Sequence, residues 1–183
     1  MLDLTEKTLQ SHEVYSGRII RVRNDEVLLP NGEHGWREVV DHPGGVGILA
    51  FDDQGRVALV RQFRYAVGQH LWEIPAGKRE KGENPFVTAH RELNEEVGAA
   101  ATRWTELGSI IASPGCYAEV LYLYMAEGLT FSRQHLDEDE FLEARFFPFA
   151  EAVEKCMSGE IRDGKTVTAV LKARLLQEKT CTL

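Results

Sequence analysis

Two apolar, β-branched runs, Val46 to Phe51 and Val57 to Phe63, flank the polar stretch Asp52-Asp53-Gln54-Gly55. That pattern predicts a hairpin of a main sheet. Upstream, Val14, Ile19, Ile20, Val22, Val27 and Leu29 fall in short extended-looking runs between Ser11 and about Pro43. Pro30-Asn31-Gly32 reads as the turn among them, and Trp36 to Val40 as a returning strand. Leu71 to Pro75, Trp104 to Ala112, Val120 to Met125 and Phe141 to Phe147 supply further extended segments, while Ala150 to Met157 and Lys165 to Leu176 read as amphipathic helices. Strands and helices mixed in this order predict an α/β fold, a sheet sandwiched between helices.

The stretch Gly77 to Ala99 departs from this alternation. Asn84 is a suitable N-cap, Pro85 suits the first helical position, and Gly98 can take the left-handed conformation that ends a helix. At ~100° per residue, Phe86, Ala89, Leu93 and Val97 form the face that wants a core, and Glu92, Glu95 and Glu96 form a second face within roughly a 100° sector. Glu92 and Glu96 repel at i,i+4, and Glu95 and Glu96 sit in the last turn, where the helix dipole disfavours anions. A solvated stripe would carry Glu–Lys pairs and basic residues near the C-terminus. Local rules broken together in this way mark a functional site. A hard divalent cation restores the balance, because clustered carboxylates are the ligands that Mg²⁺ or Mn²⁺ prefers, completed by water and substrate phosphate oxygens. Without it, crowding pushes some of the carboxylates towards the protonated form.

Composition narrows the setting. A chain of 183 residues with 43% hydrophobic content suits one domain, or one domain with a small appendage. No run of ~18 apolar residues predicts a membrane span, and the polar, acidic start MLDLTEKTLQ does not fit a signal peptide. Cys116, Cys156 and Cys181, odd in number and without metal-ligand spacing, read as reduced thiols of a cytoplasmic protein. A net charge of −8 argues against a nucleic-acid backbone as partner, though not against an anionic small substrate. The segment before His42-Pro43-Gly44-Gly45, strands with little helix, cannot bury much by itself and needs another surface. Residues 1–45 are therefore expected to form an N-terminal β segment and residues 46–183 the main domain.

The pattern G-x5-E-x7-R-E-U-x-E-E-x-G-U, with U a bulky apolar residue, is filled by Gly77, Glu83, Arg91, Glu92, Leu93, Glu95, Glu96 and Gly98. In this the chain resembles the Nudix hydrolases, with Ala99 smaller than the usual last residue. The resemblance implies the Nudix α/β/α sandwich from about Val46 onward, and Mg²⁺- or Mn²⁺-dependent cleavage of a nucleoside diphosphate linked to another moiety. Glu92 and Glu96 are the first choices for direct metal ligands and Glu95 the next, with the Ala76 carbonyl added by resemblance. Glu83 and Arg91 are expected to pair with the acidic cluster or each other and orient it.

Three further features are similar to the ADP-ribose pyrophosphatase branch. One is Pro114, within Ser113-Pro114-Gly115 about 15 residues after the motif. Another is the order Trp36-Arg37-Glu38-Val39-Val40-Asp41-His42-Pro43-Gly44, Val60-Arg61-Gln62-Phe63-Arg64, Glu73-Ile74-Pro75-Ala76-Gly77. The third is the acidic run Asp137-Glu138-Asp139-Glu140, where the branch carries a mobile-loop glutamate; Glu140 matches best and Glu138 second. The resemblance implies a homodimer that exchanges its N-terminal segments, with Trp36, Arg37 and Glu38 reaching the adenine or its ribose. Pro114 and Gly115 are taken with the substrate-binding residues. Arg64, then Arg61, would hold phosphate through forked donors. The implied reaction converts ADP-ribose to AMP and ribose 5-phosphate. The alternatives are a nucleotide-sugar pyrophosphatase acting on GDP-mannose, and a catalytically silent regulatory domain. The intact Glu92-x-x-Glu95-Glu96 cluster argues against the last.

Overall fold

The computed structural model describes residues 2–138 and 140–180; Met1, Asp139 and Cys181 to Leu183, and so the expectations for Asp139 and Cys181, lie outside the described residues. The chain divides into two compact units. One comprises the residues up to Gly44 together with Ile111–Val120, the other Gly45–Ile110 and the residues from Leu121 onward.

In the first unit β1 (Lys7–Ser16), β2 (Arg21–Leu28) and β3 (His34–Asp41) form an antiparallel meander. The turn after β2 is closed by Gly32 N–H donating to the Leu29 carbonyl, so Pro30-Asn31-Gly32 turns the chain as its sequence predicts. β1 begins earlier than the Ser11 expected, because Lys7 to Gln10 pair with β2 although their side chains are polar. Asp25, Val27 and Gly44 are the buried residues among the described residues of this unit. Asp25 is held by the Ser11 hydroxyl at 2.6 Å and by Arg23.

In the second unit, β4 (Gly45–Ala50) lies between the parallel β9 (Tyr117–Phe131) and the antiparallel β7 (Ala76–Lys78), and β8 (Ala99–Ser113) pairs with β9, the end of β8 and the start of β9 counting with the first unit. A second sheet holds β5 (Arg56–Arg64) between β6 (Gln69–Glu73) and β10 (Leu142–Pro148), all antiparallel. The expected hairpin of one main sheet is thus corrected. Its turn closes through Gly55 N–H to the Asp52 carbonyl, but β4 and β5 share a single bridge, Phe51↔Val57, and then go to different sheets.

Strand alternation assigns the two cores. Val46, Ile48 and Ala50 of β4, with Ala58, Tyr124 and Ala126, pack under α1 (Pro85–Val97) around Ala89 and Leu93. Leu49, Val57, Leu59 and Leu123 point the other way, onto α2 (Phe149–Met157) and α3 (Gly164–Thr180) through Ala152, Cys156, Ala169, Val170 and Ala173. Period-two strands with helices on both faces make the α/β/α sandwich. No helix of the described residues is long and apolar enough to cross a membrane.

Candidate functional site

α1 is set by local chemistry. The Asn84 side chain accepts from the Phe86 N–H at 2.8 Å, Pro85 opens the first turn, and Gly98 ends the helix at φ 65° with its N–H on the Asn94 carbonyl. Its apolar face differs from expectation at one end. Ala89 and Leu93 are fully buried, but Phe86 is 39% exposed and packs against His90, Trp104 and Tyr124 instead of entering the main core. Two residues of the acidic face are buried as well: Glu92 is 6% and Glu96 2% exposed, while Glu95 is half-buried.

Each carboxylate is held by a defined partner. Glu96 accepts the Ala76 N–H at 2.8 Å, from the strap β7 that hydrogen-bonds β4. Gly77 follows Ala76, and a Cβ there would stand 1.9 Å from the Glu92 carboxyl carbon, so any side chain would displace that group. Arg91 gathers the cluster. Its Nη1 donates to Glu92 at 2.8 Å and Glu95 at 2.9 Å, and its Nη2 to the Lys78 carbonyl at 3.1 Å and Glu83 at 3.3 Å. Glu83 also accepts the Glu80 N–H, and the Arg91 hydrogen bonds with that amide hold its pKa down at about 2.

The buried pair behaves oppositely. Burial, aided by the charges of Glu95 and Glu140 and opposed by Arg91, pushes Glu92 up to about 7. Burial, with Glu92 and Glu140 against the Ala76 amide and Arg64, pushes Glu96 up to about 8. Crowding contributes, but loss of water is the larger cause. Negative charge here is under-compensated by protein, which fits a hard cation. Among the described residues no group of three His, Cys, Asp or Glu side chains is arranged to hold a metal ion by itself. An open set of one or two carboxylates suits Mg²⁺, which keeps water and substrate oxygens in its shell. Glu92 and Glu96 are buried on one face of α1 with the half-buried Glu95 beside them, and Ala76 adjoins Glu96 through its N–H.

The remaining candidates fall in both units. Glu140 lies in the loop before β10, exposed, where its charge acts on Glu92 and Glu96; Glu138 is exposed in the same loop. Arg64 ends β5 with its fork on Glu73, Nε and Nη2 each at 2.7 Å from a carboxylate oxygen. Arg61 is exposed on the same strand. Trp36, Arg37 and Glu38 are exposed on β3 of the first unit, Arg37 donating to Glu6. Pro114 and Gly115 are exposed in the β8–β9 turn, where the Cys116 N–H meets the Ser113 carbonyl.

Sequence reasoning gave no role to Glu73, and passed over Asp163 and Lys165. Glu73 is 1% exposed between Arg64 and Lys165, and Lys165 in turn pairs with Asp163 at 3.0 Å. The available signal was a lone acid flanked by Trp72 and Ile74, a charge placed where a strand turns inward.

A family model described as the NUDIX domain matches residues 41–170, and one described as the nucleoside diphosphate sugar hydrolase N-terminal domain matches residues 6–40. The chain is 41% identical over 172 residues to the ADP-ribose pyrophosphatase of Bacillus subtilis (strain 168), covering 93% of each chain. It is 41% identical over 167 residues to the methanol dehydrogenase activator of Bacillus methanolicus, covering 90% of each. It is 34% identical over 174 residues to the GDP-mannose pyrophosphatase of Salmonella typhimurium (strain LT2), covering 87% of this chain and 91% of that one. Among solved structures, an ADP compounds hydrolase superposes with a TM-score of 0.85 at 21% identity over 97% of each chain, a likeness of fold.

Proposed function

The chain belongs to the NUDIX family, and from that premise we propose that it hydrolyses the pyrophosphate bond of ADP-ribose, with Mg²⁺ or Mn²⁺, to AMP and ribose 5-phosphate. The observation that carries the reading is the buried pair Glu92 and Glu96, whose protein partners only partly offset the cost of burying their charge, beside Gly77, where a side chain would displace Glu92. Similarity to an ADP-ribose pyrophosphatase along nearly the whole chain supports the choice of substrate.

In this reading Glu92 and Glu96 hold the cation, with Glu95 and the Ala76 carbonyl completing the protein's share. The bound ion supplies positive charge at the phosphate oxygens and acidity at water. Arg91 fixes the carboxylates by its hydrogen bonds to Glu83, Glu92 and Glu95. Glu140 accepts the proton of the attacking water, whose oxygen bonds to phosphorus as the bridging P–O bond breaks. Arg64 presents guanidinium charge to the diphosphate. Arg61 stands second to it on the same strand. Trp36, Arg37 and Glu38 serve the adenosine end, supplied by a partner subunit, with Pro114 and Gly115 at the same pocket. The free thiols of Cys116 and Cys156 fit a cytoplasmic enzyme.

A panel of nucleoside diphosphate derivatives with Mg²⁺, scored by release of AMP or GMP, tests the substrate. ADP-ribose is expected to turn over fastest. Rapid GDP-mannose cleavage with ADP-ribose intact moves the assignment to the second reading, which the Salmonella relative favours. Glu96→Gln is expected to lower kcat by about a hundredfold or more with the fold retained, since a neutral amide is a weak ligand for a hard cation. Near-wild-type turnover in a folded Glu96→Gln protein removes Glu96 from the ligand set.

A further inference from the structure

The carboxylate of Glu73 is a buried charge that the reaction itself does not use. Arg64 clasps it with two nitrogens, and such a pair taken alone is neutral, so it would present a diphosphate with little net attraction. Lys165, 8% exposed, sets its ammonium on the same oxygen, Glu73 Oε2, that receives Arg64 Nη2. The carboxylate thus faces two cations, which together outweigh burial and hold its pKa below the ordinary value. Lys165 also pairs with Asp163, whose other oxygen accepts the Thr166 N–H at 3.0 Å and hydroxyl at 2.5 Å at the start of α3. The same Thr166 hydroxyl accepts the Ile74 N–H at 2.8 Å, so the start of α3 also grips the segment between Glu73 and Ala76.

We infer that Lys165 is a positioning residue for the diphosphate: by taking up the charge of Glu73, it leaves the Arg64 guanidinium fixed in direction and positive towards the substrate. Asp163 directs Lys165 through one oxygen while its other is taken up by the amide and hydroxyl of Thr166, and its charge, like that of Glu73, also acts on Arg64. The inference rests on the pyrophosphatase reading only for the identity of the substrate. Its chemistry, recognition of a diphosphate anion by Arg64, can be measured without turnover.

The probe is inorganic pyrophosphate with Mg²⁺, titrated by calorimetry into wild type, Lys165→Met, Lys165→Gln, Arg64→Met and the Arg64→Met/Lys165→Met double variant. KM and kcat for ADP-ribose are taken in parallel. Loss of the Lys165 charge is expected to raise the pyrophosphate Kd and the ADP-ribose KM about tenfold, with a smaller change in kcat. In the Arg64→Met background the same change should add less than about twofold, because Lys165 then has nothing to act through. Equal weakening in both backgrounds marks a merely structural lysine and overturns the inference, as does an unchanged Kd in the single variants. Lys165→Gln keeps a donor to Glu73 without the charge, and it carries the measurement if the methionine variant does not fold. A wild type that binds pyrophosphate but leaves ADP-ribose intact refutes the substrate reading alone, and the Kd comparison still decides on Lys165. A wild type that takes up no pyrophosphate overturns the inference.

Discussion

At Glu96 the protein holds a carboxyl nearly out of water with one backbone N–H and a neighbouring carboxylate, and its pKa rises to about 8 as Glu92 rises to about 7. The sign of the linkage follows. Both groups bind protons more tightly folded than unfolded, so their penalty is absent below the ordinary value of 4.5 and fully present above about 8. The metal-free protein should lose thermal stability as pH climbs through that window. Added Mg²⁺ should raise Tm more at pH 8.5 than at pH 6, since cation and proton compete for the same oxygens. Differential scanning fluorimetry reads both, and a larger Mg²⁺ effect at pH 6 would contradict the assignment. Gly77 makes a second prediction. In Gly77→Ala the new methyl must move the Glu92 carboxyl, costing about 1–3 kcal/mol of stability and most of the metal response. Unchanged Mg²⁺-dependent stabilisation in that variant would show the Gly77–Glu92 contact to be incidental.

At the scale of elements, α1 was legible end to end, because its limits depend on neighbours in sequence: Asn84 and Pro85 at one end, Gly98 at the other. Asn84→Ala should therefore cost about 1 kcal/mol, visible as a lower denaturation midpoint without loss of Mg²⁺ binding. What the helix faces was less legible. Period alone put Phe86 with Ala89 and Leu93, but the first turn meets the Trp104 and Tyr124 rings, and Phe86 joins them. The β4–β5 pair misled for a related reason. A turn between two apolar runs predicts that they meet, yet β4 finds better partners in β9 and β7, and those pairings are set by distant sequence. Glu73, Asp163 and Lys165 escaped notice on the same ground, since the residues that explain one another are far apart in the chain.

On the scale of the molecule, the N-terminal unit buries little of itself. All ten residues of β1 are exposed, including Leu9, Val14 and Tyr15. A second copy of the chain is the partner that the dimer reading supplies for this face, with Trp36, Arg37 and Glu38 lent to the neighbour's pocket. Light scattering should then give twice the monomer mass of 20.6 kDa. Changing Val14 and Tyr15 to Lys should shift the protein to monomer and reduce turnover together. A compact, fully active monomer would refute the shared pocket.

The hydroxyl of Thr166 meets the amide of Ile74 across 92 positions of chain. A ribosome delivers residues in order, so the acidic helix and the segment before it leave the exit tunnel well before the side chain that grips Ile74. Nascent chains that already carry the α1 carboxylates should accordingly do no chemistry until α3 has been made and has docked.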